Sequence, residues 1–254
     1  MLGRFDLLRH SVEYKFKKYR LTINFWFLIL FLLVQTGLNE LGYWQLSRAQ
    51  EKQIRLERLN KNDLPTLTSL DGVNQSFIDD FGYINLEVEL AEPVNFLVEN
   101  RIQNGNLGYH VLNLVREVSS DRYLLINRGW IEGKADRNEL PKIELPPNLW
   151  KVKSRIYQIN QQVLSENAEI ENYGKIIRIP VMDAHIKRKL EEAFNLHIEA
   201  YLLRLEKDVV GSFNVDWDWV SMSPEKHLGY AFQWFALSLA FLIASLFALI
   251  KKVK

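Results

Sequence analysis

Cysteine is absent from the 254-residue chain, which excludes disulfides, thiolate metal sites and cysteine nucleophiles together. The compartment stays open, because a cysteine-free protein tolerates oxidising and reducing surroundings alike. An excess of one charge is also lacking. The 32 Lys and Arg stand against 31 Asp and Glu, so nothing in the balance argues for a nucleic-acid partner. No Gly-rich phosphate loop, His-Glu-x-x-His zinc helix or Gly-x-Ser-x-Gly nucleophile turn occurs. What is abundant is apolar. The chain is 48% hydrophobic and 25% charged, too hydrophobic for a disordered chain, too charged for a polytopic channel, and sufficient for one sizeable domain.

The apolar residues are concentrated at the two ends. Leu21 to Asn39 carries no charge, and neither does Leu228 to Ile250. At about 1.5 Å per residue these runs reach roughly 28–35 Å, enough for a bilayer core of about 30 Å. Neither shows the polar stripe of a soluble helix. Two transmembrane helices follow. The flanks orient them: Arg4, Arg9, Lys15, Lys17, Lys18 and Arg20 precede the first, and Lys251, Lys252 and Lys254 follow the second. Basic tails stay cytoplasmic, so the middle of the chain is expected outside. The first run exceeds a signal peptide's apolar region, and Gln35 to Glu40 has no Ala-x-Ala pattern, so an uncleaved anchor is expected.

The first helix is expected to run on past the membrane through Leu46, Ala49, Gln53, Leu56 and Leu59, until Asn62-Asp63-Leu64-Pro65 breaks it. Tyr43 and Trp44 would lie at headgroup level. From Tyr83 the pattern turns to period two. Strands are expected at 83–90, 96–98, 109–115, 123–126, 151–158, 175–180 and 200–206, punctuated by Asn104-Gly105-Asn106 and Ser119-Ser120-Asp121. Asp183 to Leu196 reads as an amphipathic helix burying Ile186, Leu190 and Ala193. The expected fold is an extracytoplasmic α+β domain, mostly antiparallel, curled or closed into part of a barrel.

Of the five histidines, His10, His110, His185, His197 and His227, none shares a metal-ligand spacing with another. His185 and His197 read as surface or satisfied side chains, and His110 as structural. His227 differs by position, one residue outside the second apolar run. On a helix, His227, Tyr230, Ala231 and Trp234 share a face. A flat macrocycle can lie on such a face with His227 as axial iron ligand. The same residues also suit an interfacial aromatic belt. Arg101 and Arg128 each close an expected strand, and each suits either a haem propionate or an intradomain ion pair.

Taken together, several blocks resemble the surfeit locus protein one (Surf-one) family of cytochrome c oxidase assembly factors. They are Tyr43-Trp44-Gln45-Leu46 with Arg48 and Lys52; Asn100-Arg101 followed by Gly108-Tyr109; Leu125-Ile126-Asn127-Arg128-Gly129-Trp130; Arg137 with Leu140-Pro141; and His227-Leu228-Gly229-Tyr230-Ala231-Phe232-Gln233-Trp234-Phe235. The likeness spans roughly residues 20–250. Two departures stand out: Leu112-Asn113-Leu114 replaces a frequent Thr-Pro-Leu, and Glu225-Lys226 precedes the helix-two histidine where Asn is common.

The resemblance implies a non-enzymatic role, with no catalytic residues: binding haem a and aiding its insertion into subunit I of a haem-copper terminal oxidase. It makes His227 the proposed haem-iron ligand, with Tyr230 and Trp234 packing the macrocycle and Trp44 and Gln45 closing the other side. A cofactor-free scaffold for oxidase subunits is the alternative, and a membrane-anchored enzyme a remoter one. The implied partners are subunit I, a haem a synthase and the lipid bilayer. The expected organisation is a cytoplasmic tail (1–20), a membrane helix (21–43), the outer domain (44–227), a second membrane helix (228–250) and a second tail (251–254). The setting would be a bacterial inner membrane, or the mitochondrial inner membrane in a eukaryote. In topology mapping, a reporter at residue 150 should read as extracytoplasmic and one after Lys254 as cytoplasmic; the same side for both would refute the hairpin.

Overall fold

The computed structural model describes residues 4–6, 11–16, 19–60, 65–134, 136, 139–163, 166, 169–217, 219–220 and 222–252. They form two compact units, one of residues 1–57 with 219–254 and one of residues 58–218.

In the first unit, strands β1 (Arg4–Asp6), β2 (Ser11–Phe16) and β3 (Tyr19–Asn24) lead into helix α1 (Phe25–Leu59). The helix thus begins four residues later than the uncharged run. β-branched Thr22 and Ile23 favour the strand, and the Asn24 side chain caps the helix, accepting from Trp26 N at 2.9 Å and Phe27 N at 3.4 Å. At 35 residues, or about 52 Å, α1 is longer than a bilayer core. The expected continuation through Leu59 is therefore present. Of its expected breaker, Asn62-Asp63-Leu64-Pro65, residues 62–64 lie outside the described residues.

The second unit opens with a 3-10 turn (Leu70–Gly72) and helix α2 (Gln75–Asp79), capped by Asn74. Then come β4 (Tyr83–Leu90), β5 (Asn95–Gln103), β6 (Asn106–Glu117), β7 (Tyr123–Glu132), β8 (Leu149–Gln158), β9 (Glu171–Asn172) and β10 (Ile176–Ile179). Helix α3 (Ala184–Phe194) and β11 (Ile198–Leu205) complete it. The chain returns to the first unit as helix α4 (Pro224–Leu249) and strand β12 (Ile250–Lys252), which pairs antiparallel with β3.

Five strands close a barrel in the order β4-β8-β11-β7-β6, with β6 returning to β4. Closure depends on the length of β6. Its first half pairs with β5, but Val115, Arg116 and Glu117 continue past that strand and pair with Leu90, Glu89 and Val88 of β4. Closing the ring removes two sheet edges whose N–H and C=O groups would otherwise lack partners. The pairings are antiparallel except β7–β11 and β5–β10, which are parallel. The sheet therefore closes where the sequence pattern indicated only a curled or partial barrel.

Alternation along the strands separates two cores. Ile84, Leu86, Val88, Leu124, Ile126, Val152, Ile156, Leu203 and Leu205 fill the interior with Leu70, Phe77 and Ile78 of the opening segment. The opposite faces of β5, β6, β7 and β11 carry Phe96, Leu112, Leu114, Leu125 and Leu202 against Ile186 and Leu190 of α3. Asp183 starts α3 by accepting from His185 N and Ile186 N at 3.0 and 2.9 Å, and Asn195 ends it in the left-handed conformation. Ala193 is exposed, contrary to the periodicity, and the Phe194 ring meets Phe96 edge-on instead. Ile126→Ala, which empties a fully enclosed interior position, should cost about 2–5 kcal/mol, measurable as a lower midpoint for loss of β-sheet circular dichroism.

Candidate functional site

Helices α1 and α4 are both long and apolar enough to cross a membrane, and only 6% and 11% of their most apolar stretches are buried within the protein. Such low burial distinguishes them from soluble core helices. Trp26, Leu33, Phe232 and Phe247 are each more than two-thirds exposed, a surface that calls for lipid.

The two helices run antiparallel along stripes of small and polar residues. On α4, His227, Ala231, Ser238 and Ser245 are buried, one to two turns apart. On α1, Gly42 is required: a Cβ there would sit 2.6 Å from the Phe235 ring. Phe235 also meets Tyr43 edge-on, and Phe31 stacks on Phe241. Small residues let membrane helices approach closely, and polar groups between them bond to each other for want of water. Ser238 shows both: its hydroxyl accepts from Gln35 Nε2 at 2.6 Å and donates to Asn39 Oδ1 at 2.8 Å.

His227 lies in the first turn of α4, which starts with Pro224 and Glu225 as helix N-termini commonly do. Its side chain is 7% exposed, and Nδ1 is 2.7 Å from Gln45 Oε1. A carboxamide oxygen only accepts, so Nδ1 carries the proton and Nε2 the lone pair. Among the described side chains Nε2 makes no hydrogen bond, nor is it an enclosed orphan. Tyr230 is 45% exposed and Trp234 half-buried, so the packed stripe holds His227 and Ala231 while Tyr230 turns outward beside it. Trp44 is exposed too, with the Arg48 guanidinium 5.6 Å from its ring centroid. The structure thus brings Gln45 to His227 directly.

The remaining expected site residues, Arg101 and Arg128, belong to the barrel unit. Arg128 is buried and serves neutral acceptors: Nε donates to Gly211 O at 2.7 Å, and Nη1 to Glu144 O at 2.9 Å and to Asn113 Oδ1 at 3.3 Å. Its guanidinium lies over Phe213, 4.5 Å from the centroid. Desolvation lowers its pKa to about 10. Asn113, where the chain departs from Thr-Pro-Leu, extends this network to Val94 O and Asn95 Oδ1.

The neighbouring motif residues form a joint. Gly129 has φ +117°, and a Cβ there would meet Asn214 O at 2.6 Å. Trp130 Nε1 donates to Arg101 O at 2.8 Å, and its ring lies where a Gly108 side chain would project. Two blocks separated in sequence thus meet at one place. Arg137, in a third, lies outside the described residues.

His110 is half-buried and packs edge-on against Trp217. Asp183 is spent on capping α3, and exposed His197 faces Glu191 at 3.1 Å. Among the described residues, no three His, Asp or Glu side chains are grouped to hold a metal ion.

The arrangement is that of a membrane-anchored barrel protein whose two apolar helices flank the domain in sequence. Residues 32–239 match the SURF1 family, and the chain belongs to it. A curated relative, a SURF1-like protein from Rickettsia bellii (strain RML369-C), is 21% identical over 238 residues, covering 89% of this chain and 88% of the relative. Membership supports a general role in oxidase assembly.

Polar residues within the apolar runs, Gln35, Asn39 and Ser238, are the contacts that sequence reasoning missed. Their rarity in those runs was the available signal. Burial, then the guanidinium charges of Arg101 and Arg204, push the His110 imidazole from 6.5 down to about 3. The unfolded chain therefore binds a proton that the folded chain refuses, and stability falls as pH drops from about 6.5 toward 3. His110→Gln should lose less thermal stability than the wild type between pH 7 and pH 4.

Proposed function

We propose that this protein is a non-enzymatic assembly factor for a haem-copper terminal oxidase, holding haem a at His227 and passing it to subunit I. The observation that carries the reading is the His227–Gln45 pair where the two apolar helices come together. An imidazole with Nδ1 engaged by a carbonyl and Nε2 left with its lone pair is the donor expected of a haem ligand. Haem would supply an iron centre, which the His227 imidazole would hold reversibly. Tyr230 and Trp234 lie within two turns of His227 and offer aromatic surface on the same helix. A terminal oxidase subunit I, a haem a synthase and the bilayer itself are the partners in this reading.

The proposed setting is a bacterial inner membrane with both tails cytoplasmic, or the mitochondrial inner membrane if the source is eukaryotic. Pairing of β3 with β12, next to the two tails, supports both tails lying on one side. For Arg128, bonds to Gly211 O and Glu144 O favour a structural role over propionate binding. Arg101 likewise belongs to the barrel unit, where its Nε is enclosed.

Haem titration of the detergent-solubilised full chain tests the cargo. His227→Ala should lose the wild-type Soret band and weaken binding at least tenfold. Equal spectra and affinities would remove His227 as ligand. If His227→Ala instead left the haem content of the assembled oxidase unchanged, while Arg128→Met lowered it, the cofactor-free scaffold would be the better account.

A further inference from the structure

We infer that Gln45 is a positioning residue for His227, selecting the tautomer that presents Nε2 and setting how strongly that nitrogen donates. The inference rests on the proposed role of His227 as iron ligand, but its first consequence concerns the haem-free protein.

Free histidine divides its proton between two ring nitrogens, and an axial ligand must keep the coordinating one unprotonated. Here one acceptor, Gln45 Oε1, stands 2.7 Å from Nδ1, within ordinary hydrogen-bond range. Holding the proton there commits the lone pair to Nε2. Gln45 is itself carried on α1, next to Tyr43 and Gly42, which pack against Phe235 of α4. A contact between helices thus holds the ring through a second contact beside it, and neither depends on cargo. His227 is 7% exposed, so the ring has little freedom to turn and present its other edge.

The same bond tunes donor strength. An acceptor on Nδ1–H pushes electron density toward Nε2, and a carboxylate pushes more than a carboxamide. Glu at position 45 has the shape of Gln with a stronger acceptor, whereas Leu has similar bulk and none. The two substitutions should move the ligand in opposite directions, which a loss of helix packing would not do.

Four measurements on the full chain in detergent test this. In haem-free protein, the His227 ring nitrogen-15 shifts should report Nδ1–H in the wild type and Gln45→Glu, and a shift toward Nε2–H in Gln45→Leu. After loading with haemin, Gln45→Leu should weaken binding by about 10–100-fold, whereas Gln45→Glu retains it. In the reduced complexes, the Fe–N(His) stretch should rise and the reduction potential fall for Gln45→Glu, with both moving the other way for Gln45→Leu. Equal ring shifts in all three proteins, or displacements of the same sign for Glu and Leu, would overturn the inference while leaving His227 as ligand. If His227→Ala bound haemin like the wild type, the ligand reading would fall, and the role of Gln45 toward iron with it.

Discussion

Polar side chains between two apolar helices have no water to turn to, and this constraint organises the membrane-facing half of the protein. Gln35, Asn39 and Ser238 bond to one another, and Gln45 and His227 form a second set nearer the C-terminal end of α1. Each bond ties one helix to the other. Lipid solvates the outward faces as well as protein would, so apolar contact alone contributes little to the choice of partner or rotation. Close approach at Gly42 and directed polar bonds make that choice, and the rotation they set places His227 against Gln45.

The barrel meets a similar demand by another route. Its backbone groups are satisfied because β6 is long enough to serve β5 along one half and β4 along the other. A Thr-Pro-Leu in this strand would remove a ladder donor. Here Leu112-Asn113-Leu114 continues the strand without that loss, and Asn113 adds a buried side chain that bonds Arg128. Arg128 in turn holds the carbonyls of Gly211 and Glu144, connecting two loops to the barrel wall. Leaving those acceptors unpaired would cost about 1–3 kcal/mol each. The Asn-Arg-Gly-Trp block thus unites strands in the structure.

Much of the architecture was legible along the chain. The two uncharged runs, the period-two stretches from Tyr83 onward and the amphipathic Asp183–Leu196 segment each correspond to an observed element. They are legible because helix and strand periodicity are local properties of neighbouring residues. Strand ends were less legible. β5 and β7 extend well beyond their alternating cores, to Gln103 and Glu132, because pairing with β6 holds residues that have no apolar signature. Ala193 shows the reverse error: its spacing fits the buried face, yet Phe194 takes the contact. The residues of the candidate site were found in part. His227 stood out by its place at a membrane boundary and Gln45 by the company of its motif; the family resemblance set both beside one haem, but nothing in the sequence joined Gln45 to the His227 ring itself.

By itself the sequence determined that two segments cross a membrane, that a sheet-rich domain lies between them, and that an imidazole sits where the second crossing begins. These follow from run length, charge and periodicity, which need no partner. Only the tertiary structure decided that β6 closes a barrel on β4, that Arg128 points inward, and that Gln45 meets His227. The physical reason is separation: these contacts join residues from tens to nearly two hundred positions apart, and a contact of that kind is set by how whole elements pack.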